Sequence, residues 1–104
     1  MRLDTPDGKR NTGKRPTDHA PDRVEAEMLA LRALAWALED QRRAERLLAL
    51  TGLDGDALRD GIGNPATLDA VLAFLADHEP DLIACSAAIG TDPATLIAAR
   101  AGLR

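Results

Sequence analysis

The sequence predicts an all-α fold, a compact bundle of five or six short helices behind a disordered N-terminal tail. Three observations predict it. Helix stops are followed at once by helix starts at Gly52-Leu53-Asp54, Gly63-Asn64-Pro65 and Gly90-Thr91-Asp92-Pro93. Between those signals apolar residues recur at helical spacing, as in Leu68, Val71, Leu72 and Leu75 at i, i+3, i+4 and i+7. No stretch alternates in the manner of a strand. Glycine tolerates the left-handed conformation that ends a helix, Asp or Asn accepts the free amides of the next one, and proline fits its first position.

With 104 residues the chain has room for one domain. Residues 1–21 read as a basic tail, with five Lys or Arg against three Asp and Leu3 as the only large aliphatic residue besides Met1. So little apolar surface does not offset the entropy of ordering, and the tail is expected to be disordered. Residues 22–104 read as a single helical domain with eight Arg against fourteen Asp or Glu, a net charge of −6. Such a body repels phosphate backbones at long range.

The first helix is expected from Pro21-Asp22, with Asp22, Glu25 and Glu27 near its positive end. Its apolar stripe is Val24, Met28, Leu31, Ala35 and Leu38, and a second stripe of Leu29, Ala33, Trp36 and Ala37 makes it apolar around most of its circumference. That marks it as the central element. A second helix, about Asp40 to Leu50, buries Ala44, Leu47, Leu48 and Leu50, and Glu39 and Arg43 stand at i,i+4. No Gly or Pro separates these two helices, so they read equally as two elements or one kinked rod. A short helix over about 55–61 carries Leu58 and is closed by Ile62. The fourth runs from Asn64-Pro65 to near His78-Glu79, the fifth from Pro80-Asp81 to Gly90, and the sixth from Pro93 to about Ala101. From residue 22 on, 24 Leu, Ile, Val, Met, Phe and Trp side chains supply the core.

Composition narrows the function classes. Cys85 is the single cysteine, so no intramolecular disulfide forms, and no signal-peptide pattern opens the chain. Both features point to the cytoplasm. The longest unbroken apolar run, Ala33 to Leu38, falls far short of the ~18 residues of a membrane span, so no membrane association is expected. Trp36 and Phe74 are the only aromatic residues among Phe, Trp and Tyr, too few for base-stacking platforms.

Candidate chemistry is sparse. Gly8 and Gly13-Lys14 have phosphate-loop spacing, but Arg15 stands where Ser or Thr would hold magnesium, and Pro16 follows in place of a helix former. Asp77, His78 and Glu79 are dense in metal-capable groups, yet successive helical residues diverge, so the cluster reads as a solvated helix end and no metal is expected. Ser86 and Cys85 lie inside a helix, and Ser86 is about 12 Å from His78 along a continuous rod, beyond the reach of a base. No catalytic residue, enzyme activity or cofactor is therefore expected.

Two binding surfaces remain. Arg42, Arg43 and Arg46, with Arg59 as a further neighbour, form the densest basic patch of the body and suit a carboxylate or phosphate on a partner. Trp36 would anchor a partner if exposed. The alternative is a helix-turn-helix over residues 82–101. Its second helix offers Asp92, Thr95, Ala98 and Ala101 with Arg100 as the basic residue, and Lys9, Arg10, Lys14 and Arg15 of the tail would add affinity for DNA.

The segment Ala26 to Leu103 resembles a family of small alphaproteobacterial proteins, the domain of unknown function 3572. The resemblance is carried by Ala33-Leu34-Ala35-Trp36, Leu47-Leu48-Ala49-Leu50-Thr51-Gly52-Leu53, Leu58-Arg59, Leu72-Ala73-Phe74-Leu75 and Pro93-Ala94. It implies an all-helical fold in a bacterial cytoplasm and supplies no activity or catalytic residue. The expected function is a non-catalytic adaptor or regulatory module, monomeric or homodimeric, that binds another protein through the first helix and the arginine face of the second. Nucleic acid is the second choice of partner.

Overall fold

A computed structural model describes residues 21–103; of the tail expected to be disordered, residues 1–20 lie outside them, while Pro21 is described and buried. Six helices follow one another: α1 (Arg23–Leu38), α2 (Gln41–Thr51), α3 (Gly55–Asp60), α4 (Pro65–Ala76), α5 (Glu79–Ile89) and α6 (Pro93–Gly102). Five of the six begin on an Asp or Asn side chain. The Asp22 carboxylate accepts the Glu25 amide at 2.9 Å while Glu25 accepts the Asp22 amide at 3.1 Å, a reciprocal capping box. Asp54, Asn64 and Asp92 cap α3, α4 and α6 by accepting the amides of Ala57, Ala66 and Thr95.

Asp40 decides between two helices and one kinked rod. Its backbone is extended, and its carboxylate accepts the amides of Arg42 and Arg43 at 2.8 and 3.1 Å, so α2 starts afresh after Leu38. The exception among the caps is α5, which begins at Glu79 rather than at Pro80-Asp81. The residue before it, His78, makes no side-chain cap, because its Nδ1 is 2.9 Å from the Phe74 carbonyl oxygen.

The glycine stops are two in place of three. Gly52 (φ +75°) and Gly90 (φ +79°) are left-handed, whereas Gly63 is not. The end of α3 is closed by Gly61, which is buried against α4, where a Cβ would run into the Thr67 hydroxyl.

α1 is the central element, packed on α6, α4, α5 and α2. Of its two apolar stripes it buries the one with the smaller side chains. Ala26, Ala30, Ala33 and Ala37 line the core together with Leu34 and Trp36, while Val24, Met28, Leu31, Ala35 and Leu38 face solvent. The two stripes are offset by two residues, about 200° around a helix. Alanine lets neighbouring helix axes approach, so a helix enclosed on several sides turns its small residues inward. The volume of the core comes from its neighbours: Leu47, Leu58, Leu68, Val71, Leu72, Phe74, Leu75, Leu82, Leu96 and Leu103 are all buried. Leu50, expected in the core, is exposed on the far side of α2. Among the described residues no single helix is long and apolar enough to cross a membrane.

Candidate functional site

The arginines of α2 divide by direction. Arg43 lies over the Trp36 ring, its guanidinium carbon 3.7 Å from the ring centroid, and donates through Nη2 to the Trp36 carbonyl at 2.6 Å. It lies 3.8 Å from the Asp40 carboxylate, the acid it meets in place of Glu39. Arg46 is ion-paired with Asp81 of α5. These two arginines seal the α1–α2 and α2–α5 seams, and the Nε atoms of both are buried without a hydrogen-bond partner. Trp36 is only 9% exposed and has its face covered by Arg43. Arg42 remains in solvent at the start of α2, beside Glu39, Asp40 and Glu45. Arg59 sits apart on α3, paired with Asp56 at 2.9 Å.

The nucleophile candidates face inward. Ser86 is buried and donates to the Leu82 carbonyl at 2.7 Å, one turn back in its own helix. Cys85 is buried beside it, and desolvation pushes its thiol up to about 11. His78 stacks against Phe74 at 5.0 Å, with its ring engaged by the α4 backbone. The described residues contain no group of three or more His, Cys, Asp or Glu arranged to hold a metal.

At the other end, α5 and α6 meet at 91° across Gly90-Thr91-Asp92. Arg100 does not face outward from this corner. Its Nε and Nη2 donate to the two Asp69 carboxylate oxygens at 2.7 and 3.2 Å, pinning α6 to α4 and holding the guanidinium pKa above its ordinary value. Thr95 is half-buried at the rim of a cavity of about 290 Å³ between α1 and the corner, with Glu25, Met28, Arg32 and Ile89. The outward residues of α6 are Ala94, Ile97 and Ala101. Lys9, Arg10, Lys14 and Arg15 lie outside the described residues.

The surface with the most distinctive chemistry is the outer face of α1. Val24 is 65% exposed, Met28 52%, Leu38 45% and Leu31 37%, and Ala35 completes the line. Glu25, Arg32 and Glu39 border it on one side at seven-residue intervals, all exposed. On the other side, Leu34 and Leu38 lead into an apolar groove of about 270 Å³ formed with Leu48, Leu58 and Ile62. Sequence reasoning named this stripe and the one of Leu29, Ala33, Trp36 and Ala37 without choosing which faces the core. The signal available to find it was the parallel alanine stripe, with the same repeat on the opposite face.

No curated protein and no solved structure shows significant similarity to the chain. One family model does match, over residues 23–104, and its span takes in all six helices. The chain therefore belongs to the family described as "Protein of unknown function (DUF3572)".

Proposed function

We propose that the domain is a non-catalytic docking module that binds another protein through the outer face of α1. The observation that carries this reading is the continuous line of Val24, Met28, Leu31, Ala35 and Leu38 in solvent. Single exposed apolar residues occur on every surface, but a contiguous set bordered by charges marks a contact site. Arg42 belongs to the polar rim at the end of that line, whereas Arg43 and Arg46 hold the scaffold that presents it. The inward-facing Cys85 and Ser86 support the non-catalytic part of the reading, and the single cysteine supports a reducing cytoplasm.

A photo-reactive amino acid in place of Met28 tests it in the native host. Protein adducts from position 28, and none from the control position Ala94 on α6, are expected. Equal labelling from both positions, or none from either, overturns the assignment.

DNA binding through α5, α6 and the tail is the second reading, favoured by one observation. The 91° corner falls in the helix-turn-helix range of about 90–120°. Against it, the outward side of α6 carries no base-reading group, and Arg100 is engaged by Asp69. Absence of duplex binding at low salt, where phosphate contacts are strongest, disposes of it.

A further inference from the structure

We infer that the partner of the α1 outer face is a second copy of this chain, packed antiparallel along the same helix; the inference rests on the docking reading and names its occupant. The spacing is the first argument. Val24, Met28, Leu31, Ala35 and Leu38 follow one another at alternating intervals of four and three, the seam that lets two helices interdigitate over several turns. A seam of this kind needs a matching seam opposite, and an identical chain provides one.

Charge is the second argument. In the antiparallel pairing that sets Met28 beside the partner's Leu31 and Val24 beside the partner's Ala35, the two-fold axis also sets Glu25 against the partner's Arg32. Arg32 is available for this contact. Its hydrogen bond within the chain is a long one, 3.5 Å to the Ile89 carbonyl, and no carboxylate of the described residues lies within ion-pair distance. Sliding the helices by a heptad opposes Arg32 to the partner's Arg32 and Glu25 to the partner's Glu39, so that register is repulsive. A parallel pair opposes Ala35 to the partner's Ala35 and leaves a gap, whereas the antiparallel pair fills it with Val24.

Two such stripes with their flanks reach the lower end of specific interfaces, ~1,000 Å² in total, the size of weak or transient contacts.

Sedimentation equilibrium of the full chain at up to about 200 μM, high enough to populate a complex of micromolar affinity, tests the inference. A dimer is expected, and Met28→Glu or Arg32→Glu each weakens it about tenfold or more. Glu25→Arg combined with Arg32→Glu restores it to within about threefold. Glu25 also completes the α1 capping box, so a second measurement avoids it: a mixture of Met28→Cys and Leu31→Cys chains is oxidised, and the mixed disulfide is expected to dominate. Disulfides between identical positions, a dimer indifferent to Met28→Glu, or a charge-swapped chain that stays helical and monomeric each overturn the inference. A monomeric wild-type chain also overturns it. In that case, adducts to a different protein from position 28 leave the docking reading standing, and their absence removes both.

Discussion

Gly102 packs against Ala26 with no room for a side chain between them. A Cβ on Gly102 would stand 2.9 Å from the Ala26 Cβ and 2.7 Å from the Pro21 carbonyl oxygen. Neither obstacle is a flexible side-chain tip, so the last turn of α6 and the first turn of α1 have to separate to admit a methyl group. Gly102→Ala is expected to lower stability by about 1–3 kcal/mol despite the gain in helix propensity. Urea denaturation checks it. Gly55→Ala, where a Cβ meets nothing within 4 Å, serves as the control and is expected to change little.

The Trp36–Arg43 stack predicts a graded series. Arg43→Ala removes the cation over the ring and the alkyl packing, and is expected to cost about 1–2 kcal/mol with a red shift of Trp36 fluorescence. Arg43→Met keeps the packing and also removes the buried, unpartnered Nε. Its loss is expected to be the smaller of the two in the same denaturation measurement.

How much of this was legible in the sequence depended on whether local or non-local chemistry decided the feature. The caps at Asp22, Asn64 and Asp92 were readable because each satisfies amides two or three residues away. Leu68, Val71, Leu72 and Leu75 were readable because α4 buries a single large-residue stripe. The orientation of α1 was not, since both its faces are apolar and the choice depends on the neighbours that enclose it. The same holds for Gly61 and Gly102, whose importance comes from what another helix presses against them. The roles of Arg43, Arg46 and Arg100 were equally hidden: their partners include Trp36, Asp81 and Asp69, all on other helices, the last two 35 and 31 residues from Arg46 and Arg100.

Burial of Cys85 predicts a protected thiol. At pH 8 the native chain is expected to react with an aromatic disulfide reagent far more slowly than the urea-unfolded chain. The raised pKa also has a stability consequence. The unfolded thiol ionises from its ordinary value of 9.0 and the folded one at about 11. The contribution is thus complete below pH 9 and is lost as pH rises towards 11. Cys85→Ala is expected to flatten the decline in stability across that window.

Asp40 predicts an effect at the acid end. Hydrogen bonds from the Arg43 and Arg42 amides, together with the nearby guanidinium charges, hold its carboxyl below the usual value of 3.8. Its contribution is present above that value and disappears as pH falls through the lower, folded one. Asp40→Asn keeps the cap acceptor and is expected to remove this part of the acid sensitivity. Asp40→Ala is expected to lower stability at neutral pH and to fray the start of α2, which amide hydrogen exchange at Arg42 and Arg43 would report.

The alanine face of α1 is fully covered only when α6, the last of the six helices, packs on it. On the ribosome, α1 therefore emerges long before the surface that completes it. Both sides of the helix meet water in the meantime, and the nascent chain cannot settle into a stable half. The core is completed only after α6 has emerged. Bringing α6 back to α1 carries the entropic cost of closing a loop across nearly the whole domain, which the formation of a single helix does not.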